Sequence, residues 1–125
     1  MGDRLRFVFR NLPLAQMHPH AEHAAEAAEA AAEENRFWEI HDTLYEHQDA
    51  LSDAGLAGYM RAHSLDAVRF VTDLREHRYA VRVREDFGSG MRSGVNGTPT
   101  FFINGARHDG TYDFDELLAA VEHAA

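Results

Sequence analysis

The stretch "GVNGTPTFFINGARHDG", residues 94–110, decides the fold. Within it Thr100 to Ile103 form a short apolar run, followed by Asn104 and Gly105, the pair best suited to a two-residue hairpin turn. Ala106 to His108 then supplies the returning strand. Gly97, Thr98, Pro99 and Thr100 form a proline-stiffened entry to the hairpin. Beyond it, Asp113 with Glu116 three residues on is an acidic variant of the capping box, and Phe114, Leu117, Leu118 and Val121 give the helix that follows an apolar stripe.

Upstream, "RLRFVFRN", Arg4 to Asn11, alternates Leu5, Phe7 and Phe9 with Arg4, Arg6, Val8 and Arg10, the period of a strand with one core face. Pro13 ends it. From His18 the text turns helical, with Pro19 suited to a first helical position. Glu22, Glu26, Glu29 and Glu33 share one face, read as solvated, and Ala21, Ala25, Ala28 and Ala32 share another that lets a neighbour approach closely. A second helix spans about Arg36 to Gln48, with Phe37, His41 and Leu44 as its contact face. A short one follows near Leu56 to Ala62. A long one, capped by Ser64, runs from about Leu65 to Phe87, with Ala67, Phe70, Val71, Leu74 and Val81 inward, until "GSGMRSGVNG" stops it.

The order is strand, helices, hairpin, helix, and 125 residues suit a single α/β domain. A net charge of −9 opposes binding to nucleic acid and to anionic membranes. No apolar run is long enough for a membrane span or a signal-peptide core, which favours the cytoplasm. The chain has no cysteine, so thiolate catalysis, disulfides and thiolate metal sites are excluded. His18, His20 and His23 invite a metal, but Pro19 interrupts them and no ligand frame is visible, so neither metal nor cofactor is expected. Trp38, His41 and Tyr45 read as core aromatics, with His41 a hydrogen-bonded interior histidine.

"GVNGTPTFFINGARHDGTYDFDELLAAVE" and "RFVFRNLPLAQMHPHAEHAAEAAEAA" resemble the DsbA-like branch of the thioredoxin superfamily, and together the similar stretches cover nearly the whole chain. The resemblance implies a thioredoxin-like α/β fold with a helical insertion at about 15–92 and a closing β-β-α unit at about 98–124. It implies a cis bond before Pro99, and a peptide-binding loop of Gly97, Thr98 and Pro99 in which Thr98 offers its backbone to a peptide or protein substrate. The family's first strand and helix, which carry Cys-x-x-Cys, have no counterpart here. The expectation is therefore an N-terminally truncated member of a disulfide oxidoreductase family, inactive in thiol exchange. The gap would be closed by shifting Arg4–Asn11 against the hairpin or by strand exchange in a homo-oligomer. The alternative function is a non-catalytic peptide-binding or self-associating module that uses the same loop and an exposed strand edge.

Overall fold

The computed structural model describes residues 2–14 and 18–125. After a 3-10 turn at Gly2–Arg4 come α1 (Ala21–Ala32), α2 (Phe37–Glu46), α3 (Asp53–Ala62), α4 (Ala67–Arg75) and α5 (Ala80–Arg92). A hairpin of β1 (Phe102–Ile103) and β2 (Ala106–Arg107) and a last helix, α6 (Phe114–Ala124), complete the chain. Residues 10–90 form one compact unit; residues 1–9 with 91–125 form another.

The helical unit is built on the small side chains of α1. Ala27 and Ala31 are 1% and 0% exposed, and α2, α3 and α4 all pack against this helix. Alanine costs no side-chain entropy and lets neighbours come near. Ile40, Leu56, Met60 and Phe70 fill the space and are the largest fully buried apolar side chains of this core. In α2 the deeply buried residue is Ile40; Trp38 and Tyr45 are exposed, so the aromatic row does not form the expected core.

Three helices of this unit end alike. Asn35, Ser64 and His77 adopt left-handed backbone, with φ of 59°, 59° and 56°. In each case the next N–H closes back across the last turn: Arg36 to Ala31 O at 2.9 Å, Leu65 to Met60 O at 2.9 Å, Arg78 to Asp73 O at 3.0 Å. These closures satisfy carbonyls that a helix end would otherwise orphan. The long helix expected over Leu65 to Phe87 is therefore two helices. Ser64 terminates α3, and Asp66 caps α4 by accepting from the Arg69 N–H at 2.9 Å. The break rotates the face of α5, so Ala80 and Val83 are buried while Val81 is 62% exposed. Gly88 and Gly90 lie inside α5, and the stop comes later, at Gly94 with φ 83°. Pro19 precedes the helix instead of entering it: the Ala24 N–H bonds His20 O at 2.9 Å, making Ala21 the first helical residue.

The glutamate face of α1 is not a solvated stripe. It meets arginines of the 69–84 region along a polar seam: Arg84 contacts Glu22 Oε1 at 3.1 Å, and Arg78 and Arg69 contact Glu33 at 3.1 and 3.3 Å. Glu29 accepts from Asn11 Nδ2 at 3.1 Å and is drawn toward Arg82. Glu26, in the middle, is 1% exposed. Burial raises the pKa of both Glu26 and Glu29. The Tyr79 hydroxyl donates to Glu33 Oε2 at 2.9 Å, and burial, helped by this bond, pushes its pKa up to about 12.

In the second unit, β1 and β2 pair antiparallel, Phe102 with Arg107 and Ile103 with Ala106. The turn is as the sequence dictates: Asn104 and Gly105 both have positive φ, 50° and 83°, the mirror-image geometry that matches strand twist. Asp113 caps α6, accepting from the Glu116 N–H at 3.0 Å. The Glu116 carboxylate reaches the N–H and hydroxyl of Thr111 and not the cap residue, so the capping box is displaced by two positions. The Thr111 hydroxyl and the Glu116 amide hold the Asp113 carboxyl below its ordinary value of 3.8. Its contribution to stability is present above that value and lost as pH falls through the lowered one. Protection of the Glu116 amide, corrected for the intrinsic pH dependence of exchange, should therefore fall in acid, and Asp113→Ala should lower it at every pH and abolish the acid step.

Arg4–Asn11 is not a strand. Residues 5–14 are irregular, and Leu5, Phe7 and Val8 are 46%, 59% and 58% exposed. Period-two patterning says which face a strand would bury, but the strand exists only if a neighbour completes its ladder. Among the described residues the sheet contains β1 and β2 alone, so the expected shift of this segment against the hairpin does not occur.

Candidate functional site

The loop entering β1 is fixed from several sides. Gly94 turns the chain out of α5, and Val95 is buried. The guanidinium of Arg107, on β2, donates to Gly94 O at 2.9 Å and approaches Asn96 Oδ1 at 3.5 Å, while Asp109 lies 3.6 Å from its Nε. Inside the loop, the Thr100 hydroxyl donates to Gly97 O at 2.6 Å. The Thr98–Pro99 bond is cis. Gly97 is half-buried, and Thr98 and Pro99 are exposed. Neither backbone group of Thr98 has a hydrogen-bond partner among the described residues.

Beside the loop lies a cleft of about 230 Å³. Pro99, Phe101, Arg107, His108 and Tyr112 are among its walls, whereas Thr98 and Gly97 are not. The His108 N–H bonds Phe101 O at 2.8 Å, and its ring Nε2 lies 2.7 Å from Thr111 O, which ties the floor to the far wall. A side chain at Gly110 would meet the Glu116 carboxylate and displace it from Thr111, where the cleft passes into α6. The loop was legible in the sequence; Arg107 and the 108–112 wall were not. One signal pointed to Arg107: it is the only arginine after residue 92.

The histidines expected as metal candidates go elsewhere. His18 and His20 are exposed, and His23 Nδ1 lies 2.7 Å from Asp53 Oδ1 on α3. Among the described residues no group of three or more histidine and carboxylate side chains is arranged to hold a metal ion. His41 packs against Trp38 and Tyr45, with ring centroids 5.0 and 4.9 Å away, and its Nδ1 lies 2.9 Å from Asp42 Oδ1.

Comparison with curated proteins yields relatives whose names concern membrane transport. The chain is 50% identical over 120 residues to Na(+)/H(+) antiporter NhaA 1 of Salinispora arenicola, covering 96% of this chain and 18% of that protein. It is 42% identical over 121 residues to Na(+)/H(+) antiporter NhaA of Herminiimonas arsenicoxydans, covering 97% and 19%. It is 41% identical over 123 residues to Na(+)/H(+) antiporter NhaA 1 of Mycolicibacterium vanbaalenii, covering 97% and 20%. The chain thus spans about a fifth of the length of the curated relatives it matches. No solved structure matches.

These names overturn two expectations, that no membrane is a partner and that the cytoplasm is the compartment: an antiporter moves ions across a membrane, and nearly all of this chain aligns with such proteins. The net charge of −9 bears on long-range attraction to anionic lipid and says nothing of a domain held beside a membrane protein. The described residues include no helix long and apolar enough to cross a membrane.

A family model described as thioredoxin matches residues 1–123. With a proline loop entering a β-hairpin, a closing helix and a helical stretch before them, the chain belongs to the thioredoxin family.

Proposed function

We propose that this chain is a DsbA-like thioredoxin module that carries no thiol chemistry of its own and binds an extended peptide segment through Gly97, Thr98 and Pro99, in association with an antiporter-type membrane protein. The observation that carries the reading is the loop itself. It is exposed and braced by Arg107, it has a cleft at its side, and the backbone N–H and C=O of Thr98 are unpaired among the described residues. An extended peptide pairs with such groups as it would with a strand edge. The helices between the N-terminal segment and the hairpin support the DsbA-like branch, and the antiporter relatives support the membrane setting. Reversible disulfide exchange needs a thiolate, and the chain has no cysteine.

The test uses overlapping fluorescent peptides from the hydrophilic loops of the antiporter relatives, titrated into the protein. At least one should bind, and Arg107→Ala should weaken it about tenfold, roughly 1.4 kcal/mol, because a loop no longer tied to β2 must be ordered on binding. If no peptide binds, or Arg107→Ala binds equally well, the reading fails. In a disulfide-reduction assay the chain should give no rate above buffer; a measurable rate would remove the non-catalytic part of the proposal.

A further inference from the structure

The cleft beside the proline loop has Arg107 in its wall, yet it is not built to receive an anion. That guanidinium is already committed: Nη1 donates to Gly94 O, Nη2 approaches Asn96 Oδ1, and Nε lies 3.6 Å from Asp109 Oδ1. What the cleft offers instead is acceptors. His108 Nε2 lies 2.7 Å from Thr111 O, and a carbonyl oxygen can only accept, so Nε2 carries the proton. The neutral ring then keeps a lone pair on Nδ1, for which there is no partner among the described residues. The exposed Asp109 carboxylate meets only Arg107, through Oδ1, among the described residues, which leaves Oδ2 open. Tyr112, also exposed, adds an aromatic wall. After residue 92 the sequence sets Arg107 against Asp109, Asp113, Asp115, Glu116 and Glu122, a balance that attracts cations. At about 230 Å³ the cleft is smaller than the roughly 300–1,000 Å³ of sites that enclose drug-sized ligands, and it suits one long side chain.

We propose that this cleft holds a guanidinium and, resting on the peptide reading above, that it is the specificity subsite for an arginine of the segment bound at Gly97, Thr98 and Pro99. The guanidinium lies against the Tyr112 ring and donates to His108 Nδ1 and to the Asp109 carboxylate. Arginine is favoured over lysine because its planar group is more weakly hydrated, stacks on an aromatic face and presents its donors in fixed directions. An apolar side chain would desolvate both acceptors without supplying a donor, and an acidic one would meet Asp109 at close range.

The test titrates the full chain with fluorescent alanine-based peptides of equal length whose central residue is arginine, lysine, norleucine or glutamate. Methylguanidinium alone is a second probe, followed through the nuclear magnetic resonance signals of the His108 and Tyr112 rings. The arginine peptide should bind about tenfold more tightly than the norleucine peptide, the size of one exposed cation–π contact with one hydrogen bond, and the glutamate peptide most weakly. Tyr112→Leu and Asp109→Asn should each cost the arginine peptide about threefold and leave the norleucine peptide unchanged, which also shows that the variants fold. Peptides that all bind alike would overturn the subsite while the peptide reading stands, and a lysine peptide as tight as the arginine one would overturn the choice of arginine. If no peptide binds but methylguanidinium shifts both rings, the peptide reading fails and the guanidinium cleft is upheld. If methylguanidinium shifts neither ring, or both variants bind the arginine peptide as the parent does, the cleft assignment falls.

Discussion

Phe70→Ala is expected to destabilise the helical unit by about 3–5 kcal/mol, toward the upper end of that range. The ring is 2% exposed and is one of the largest fully buried side chains of the core. Its cost depends on whether the neighbours can collapse into the vacated space. Ala27, Ala30 and Ala31, which share this core, have no side-chain atoms beyond Cβ to swing inward, which limits the collapse to longer neighbours such as Met60. Against a total of roughly 5–15 kcal/mol for a typical domain, such a loss leaves the unit close to unfolding. Urea denaturation followed by far-ultraviolet circular dichroism measures it. A loss below about 1 kcal/mol would mean that Phe70 is not the keystone its burial makes it.

Glu26→Leu should act in the opposite direction and stabilise the protein near neutral pH by about 1–3 kcal/mol, the usual cost of a buried acceptor left unsatisfied. Leucine fills a similar volume without a charge, and replacing buried ionic groups by apolar ones is often neutral or favourable. The pH dependence gives the prediction its signature. The Glu26 carboxyl has a raised value in the folded chain, so wild-type stability is intact in acid and declines as pH rises from 4.5 through that raised value. The leucine variant lacks this decline. The two proteins should differ least below 4.5 and most above the folded value, and a gain that is the same at all pH values would contradict the account.

What the sequence made legible was local. Asn104–Gly105 specified its own turn, Asp113 found the Glu116 amide three residues on, and the alanine-rich run became α1 with neighbours packed against it. These features depend on residues within one or two turns of each other. The losses were of two kinds. Asn35, Ser64 and His77 end helices in a conformation normally associated with glycine, so no local signal marked the break that splits 67–92 into α4 and α5. Other misreadings required distant partners. The Glu22–Glu33 stripe reads as solvated until Arg84, Arg78 and Arg69 are known to lie across from it. Arg4–Asn11 reads as a strand until its neighbours are counted. At the candidate site, the proline loop announced itself, whereas the brace from Arg107 crosses the hairpin and is marked in the sequence only by its being the last arginine.

The two faces of α1 also answer to different features of the solution. Its alanine face is held by apolar burial, which strongly hydrated salts strengthen. Its glutamate face is held by arginine pairs open enough to solvent to be screened, with a Debye length that shrinks to about 3 Å in molar salt. Ionic strength therefore acts selectively on this helix unit, weakening the arginine pairs while leaving the apolar burial of Ile40, Leu56 and Phe70 in place.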